Sequence, residues 1–136
     1  MMVSSNSRAL DVLVVEDDAD QGGILVQALG AAGFAAELVR NGDAALNRLT
    51  TSATLPGVLV LDLQMPGLNG WDLISVVRSY PLLSALPIIV VSGHAPGEAR
   101  DYPRVTVMQK PLDLPHFLHA IKRMVPKASG TARKAG

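Results

Sequence analysis

The stretch Val58–Arg78, VLVLDLQMPGLNGWDLISVVR, reads as a strand, a turn and a helix in succession. Val58–Leu61 is apolar at every position, so it lacks the alternation of a sheet with one wet face. A short, unbroken run of this kind reads as a strand buried on both sides, the habit of parallel sheets. It closes on a carboxylate, Asp62. Beyond it, Trp71, Ile74, Val77 and Arg78 recur at helical spacing, and Pro81 stops the run.

The same unit repeats on either side. Val12–Val15, Ile88–Val91 and Val105–Met108 are further short apolar runs, and Ala35–Val39 is a weaker one after Gly33. Ile24, Leu25, Ala28 and Leu29 share one face of an expected helix that ends at Gly30 and Gly33. Asn41-Gly42-Asp43 starts another, carrying Ala44, Ala45, Leu46 and Leu49. Asp113 is the expected N-cap of the last, with Pro115 in its first turn and Leu114, Phe117, Leu118, Ile121 and Val125 as its stripe. Strands alternating with helices imply an α/β fold, a doubly wound five-stranded parallel sheet with right-handed crossovers. One connection breaks the pattern. Ser92–Arg104, SGHAPGEARDYPR, holds Pro96, Gly97 and Pro103 amid little apolar periodicity, so the fourth helix is expected to be short or irregular.

Composition narrows the function. The chain has 136 residues, 49% hydrophobic and 18% charged, which suits one domain with a real core and excludes a disordered chain. Twelve basic residues balance twelve acidic ones, which argues against nucleic-acid binding by bulk charge. No cysteine is present, so disulfides and thiolate metal sites are excluded. No apolar run approaches the ~20 residues of a membrane span, and MMVSSNSRALD lacks the core of a secretory signal. No membrane association and a cytoplasmic location are therefore expected. The expected organisation is an extension over 1–9, a body over 10–126 and a flexible basic tail over 127–136.

Polar residues gather at the ends of the apolar runs: Glu16, Asp17 and Asp18; Asp62; Ser92; and Gln109 with Lys110. The strand tips of a parallel sheet share one edge, where open α/β sheets bind ligands. Several carboxylates held close repel one another and either protonate or bind a cation. Oxygen ligands without His or Cys select Mg²⁺ or a similar hard ion. A lysine and a serine opposite offer donors to a phosphoryl group. Neither GxxxxGK[ST] nor GxGxxG occurs, so a nucleotide is not indicated, and a carboxylate is the natural acceptor for phosphoryl transfer. Taken singly, Asp62 would be a helix N-cap, Ser92 a turn residue and Lys110 a solvated charge. Their joint placement at strand ends favours the chemical reading. His116 and His119 lack a nearby third ligand and read as surface residues.

VLVVEDD at Val12–Asp18, VLVLDLQMPGLNGWDL at Val58–Leu73, IIVVSGHA at Ile88–Ala95 and VMQKP at Val107–Pro111 together resemble the receiver domain of two-component response regulators. The resemblance runs from about Leu10 to Val125 and implies the strand order 2-1-3-4-5. It implies Asp62 as phosphoacceptor, with Glu16, Asp17, Asp62 and the backbone carbonyl of Gln64 holding Mg²⁺. Asp18 falls outside the acidic pair. Ser92 would bind phosphoryl oxygens, Lys110 would pair with Asp62, and the Lys110–Pro111 bond would be cis. His94, two residues after Ser92, reads equally as a residue that flanks the phosphoryl group together with Gln64 and as an exposed loop histidine. The implied partners are a histidine kinase or phosphotransfer protein and a downstream protein target, and a weak homodimer is compatible with the chain. Such a domain is not an enzyme; it assists only its own phosphorylation and dephosphorylation.

Val107 occupies the position where the family usually carries the aromatic switch, three residues before the lysine. This motivates an alternative, a docking module of the same fold that does not switch. A phosphatase of the haloacid-dehalogenase kind ranks lower, because Asp62-Leu63-Gln64 lacks the second aspartate of its D-x-D motif. Without an aromatic at 107, output is expected to come from reshaping of the Gly93–Arg104 loop.

Overall fold

The computed structural model describes residues 9–65, 69–93 and 102–126. Its strands are β1 (Val12–Val15), β2 (Ala36–Val39), β3 (Val58–Asp62), β4 (Ile88–Ser92) and β5 (Val105–Gln109). Its helices are α1 (Ala19–Ala31), α2 (Gly42–Thr51), α3 (Gly70–Ser79) and α4 (Leu114–Met124). A 3₁₀ turn at Pro81–Leu83, which the sequence patterns do not show, joins α3 to β4. All pairings are parallel and the order is β2-β1-β3-β4-β5, as expected.

The wholly apolar runs are explained by two cores, one on each face of the sheet. Leu13, Val15, Leu59, Leu61, Ile88 and Val90 point to one face, where they meet residues of α2 and α3 such as Leu49, Ile74 and Val77. Val12, Val14, Val58, Val60, Ile89 and Val91 point to the other, against Leu29, Phe117 and Ile121 of α1 and α4. Side chains alternate along a strand, so both faces need apolar residues when both are covered.

Two helix starts, at Asn41 and Asp113, follow the sequence signals, and Asp18 and Asn69 add two caps that those signals do not mark. The side chains of Asp18, Asn41, Asn69 and Asp113 each accept a backbone N–H from the first turn of the helix they precede. Ile24 departs from expectation: it is 56% exposed although its helical spacing matches Leu25 and Leu29. The reason is Gly22. A Cβ there would stand 2.6 Å from Leu38, so α1 makes its close approach to β2 at a glycine, and Ile24 turns outward. The irregular connection expected over Ser92–Arg104 falls mostly on residues 94–101, outside the described residues, as do 1–8 and the basic tail over 127–136.

Candidate functional site

Parallel register assembles the site. Val15 pairs with Leu61, so Glu16 and Asp62 stand one step further along adjacent strands. Asp62 pairs with Val91, which places Ser92 one step beyond it on β4. Ser92 in turn pairs with Gln109, and the Lys110 N–H donates to the Ser92 carbonyl at 2.8 Å. Glu16, Asp62, Ser92 and Lys110 thus reach one edge by strand pairing alone, with Asp17 carried in by its neighbour.

Carboxylate oxygens of Glu16, Asp17 and Asp62 lie within 4.8 Å of one another. Asp62 is 5% exposed and Glu16 4% exposed. Asp62 Oδ2 receives Lys110 Nζ at 3.2 Å, and Oδ1 accepts the backbone N–H of Gln64 at 2.9 Å. Glu16 Oε2 accepts the Asp18 N–H at 3.1 Å. Burial pushes the Glu16 carboxyl from 4.5 up to about 7; the Asp18 N–H opposes this, the Asp62 carboxylate adds to it, and the Lys110 ammonium opposes it. A carboxyl that resists ionising beside two others is a site short of positive charge. The donors are all hard oxygens, so the set fits a magnesium-like cation. A cavity of ≈ 250 Å³ opens from this cluster past Leu25 and Leu112, with Glu16, Asp62 and Lys110 at its polar end.

Other expected features take their places around it. Asp18 caps α1 through Asp20 N and Gln21 N, outside the trio. Gln64 forms a bridge with Asn69 across the loop that leaves β3. The Lys110–Pro111 bond is cis. Val107 is half-buried and packs against the α2–α3 side core. His94 lies outside the described residues, and His116 and His119 are exposed on α4. Three features had no signal in the motifs. Arg40, just after β2, donates Nε and Nη2 to the Asp17 carbonyl at 2.9 and 2.6 Å. Arg78 donates to the carbonyls of Leu83 at 3.0 Å and Pro103 at 2.9 Å. Trp71 stacks on Tyr102, with centroids 6.1 Å apart and planes 16° from parallel. Arg40 was within reach of the strand-tip rule, since it ends the run that Ala35–Val39 begins.

The sequence matches the family model of the response regulator receiver domain over residues 12–122. The chain belongs to this family. Among curated proteins, this receiver domain is 31% identical over 121 residues to the phosphate regulon transcriptional regulatory protein PhoB of Rhizobium meliloti strain 1021, covering 86% of this chain and 52% of that protein. It therefore spans about half the length of that relative. An uncharacterised 14.6 kDa protein of Leptolyngbya boryana is 36% identical over 91 residues, 67% of this chain and 68% of that one. Among solved structures, a response regulator receiver protein from Pseudomonas putida is 32% identical with a TM-score of 0.77, covering 85% of this chain and 98% of that one. The chemotaxis response regulator CheY4 of Vibrio cholerae, 20% identical with a TM-score of 0.76 over 87% of this chain and 100% of that one, shares the fold. Among the described residues of this receiver domain, no helix is long and apolar enough to cross a membrane.

Proposed function

We infer that this domain accepts a phosphoryl group on Asp62 from the phosphohistidine of a histidine kinase or phosphotransfer protein, and passes the change to a partner protein. The observation that carries the reading is the buried Asp62 carboxylate held between the Lys110 ammonium and the Gln64 N–H, with two more carboxylates within 4.8 Å. Two of its oxygens are fixed before any donor arrives, which is preorganisation for attack.

Glu16, Asp17, Asp62 and the Gln64 carbonyl would hold Mg²⁺. When bound, the ion supplies charge neutralisation between carboxylates and phosphoryl oxygens. An Asp62 oxygen attacks phosphorus, the phosphorus–nitrogen bond of the donor breaks, and the electron pair leaves with the imidazole. Lys110 stays paired to the acceptor and then to the phosphoryl group, and the Ser92 hydroxyl meets a phosphoryl oxygen. The domain promotes only its own modification and its hydrolysis. Its setting is the cytoplasm, where such donors reside.

The non-switching alternative is favoured by Val107, which leaves no ring to rotate at that position. Trp71 and Tyr102 supply a different aromatic contact, between the start of α3 and the residues that lead into β5. Binding of beryllofluoride with Mg²⁺, followed by amide chemical shifts, separates the two. A switching domain shifts amides at Trp71, Tyr102 and Arg104 as well as at the site. Shifts confined to residues touching the ligand would make it a docking module.

A further inference from the structure

We propose that Arg40 is a positioning residue for the metal-binding acid Asp17, a role that rests on the metal reading of the site. The β1–β2 ladder continues one step past its strands, where the Glu16 N–H donates to the Val39 carbonyl at 3.0 Å. That step sets Arg40 level with Glu16, from where its side chain reaches the carbonyl of the next residue, Asp17. The Asp17 carbonyl lies ahead of the N-cap and outside the ladder of α1, whose first carbonyl, that of Asp18, accepts the Gly22 N–H at 2.9 Å. The Gln21 N–H, which in a longer helix would reach Asp17, is turned to Asp18 Oδ1 at 3.1 Å. One guanidinium takes up this carbonyl with two donors, at 2.9 and 2.6 Å.

The fork fixes the peptide from which the Asp17 side chain springs. Two donors on one oxygen restrict both its distance and its direction, which a single flexible ammonium does not. Arg40 is exposed, so its charge acts through solvent and weakens with salt, while the hydrogen bonds act locally. The two influences have opposite signs. The positive charge alone disfavours a cation at Glu16, Asp17 and Asp62; the fixed peptide favours it.

Titrating Mn²⁺ against the full chain, with free Mn²⁺ read by electron paramagnetic resonance, distinguishes them. Arg40→Ala and Arg40→Lys are compared with the parent at about 0.1 M and about 1 M KCl, where the screening length falls from ~10 to ~3 Å. Positioning predicts weaker Mn²⁺ binding in Arg40→Ala by roughly two- to ten-fold, the ordinary net worth of a hydrogen bond, at both salt concentrations. Arg40→Lys, which keeps the charge and loses the fork, is also weaker than the parent. The metal-free unfolding midpoint stays within a degree or two of the parent, because an exposed side chain is removed. Unchanged or tighter binding in Arg40→Ala overturns the proposal, as does full parental affinity in Arg40→Lys. Asp17→Asn is the control for the underlying reading. If it binds Mn²⁺ as the parent does, the metal site itself is wrong; if it does not and the Arg40 variants match the parent, only the role of Arg40 fails.

Discussion

Glu16 makes the site sensitive to pH. Its folded pKa, about 7, lies above the ordinary 4.5, so the folded chain holds this proton more tightly than the unfolded chain. The sign follows: between about 4.5 and about 7 the folded state binds more protons, and the Glu16 contribution to stability falls as pH rises through that window. A cation entering the trio displaces the proton. Apparent Mg²⁺ affinity should therefore rise by up to about tenfold per pH unit below the Glu16 pKa and level off above it. Calorimetric titration from pH 5.5 to pH 8.5 checks this, and Glu16→Gln should flatten the profile while lowering affinity at every pH. A profile equally steep in Glu16→Gln would move the titrating group elsewhere. At this scale much was legible. Glu16, Asp17, Asp62, Ser92 and Lys110 stand at strand tips that polar residues mark in the sequence. Arg40 follows a strand tip and was open to the same reading; what no side-chain pattern marks is that its partner is a backbone carbonyl 23 residues away, and Arg78 likewise holds the carbonyls of Leu83 and, 25 residues away, Pro103.

Among the elements, the loop from β3 to α3 matters most, because it begins at Asp62, the proposed acceptor. Gly70 opens α3, and a Cβ there would stand 2.6 Å from Leu63 Cδ2 and 3.0 Å from Leu63 Cα. The second contact is backbone and cannot swing away. Gly70→Ala should cost about 1–3 kcal/mol of stability, as overpacking does, and shift the Asp62–Gln64 hydrogen bond in amide spectra. Urea unfolding measures the first, and an unchanged midpoint would show that the loop yields. On α4, Asp113→Ala removes the acceptor for the His116 N–H and should cost about 1 kcal/mol. The caps Asn41 and Asp113 were legible because capping is local chemistry. The rotation of α1 was not. Periodicity placed Ile24 inward with Leu25 and Leu29, whereas the close approach at Gly22 sets the helix, and a glycine has no side chain for a hydrophobic pattern to count.

Across the whole molecule, two cores clamp one sheet, so each wholly apolar strand was itself the statement that both faces are covered. The order 2-1-3-4-5 came with the family resemblance, and pairing confirms it. Phe117 is fully buried on the α1–α4 side, and Phe117→Ala should cost about 3–5 kcal/mol, visible as a lower urea midpoint with the site residues intact. The fold places β1, β3, β4 and β5 so that the residues ending or just following them bring three carboxylates, one hydroxyl and one ammonium to one edge. In the proposed function this edge makes Asp62 a phosphoacceptor. Intact-protein mass spectrometry after incubation with acetyl phosphate and Mg²⁺ tests it most directly. A gain of one phosphoryl group is expected, lost in Asp62→Asn and without the metal; no gain in the parent, or an equal gain in Asp62→Asn, would mean that Asp62 is not the acceptor.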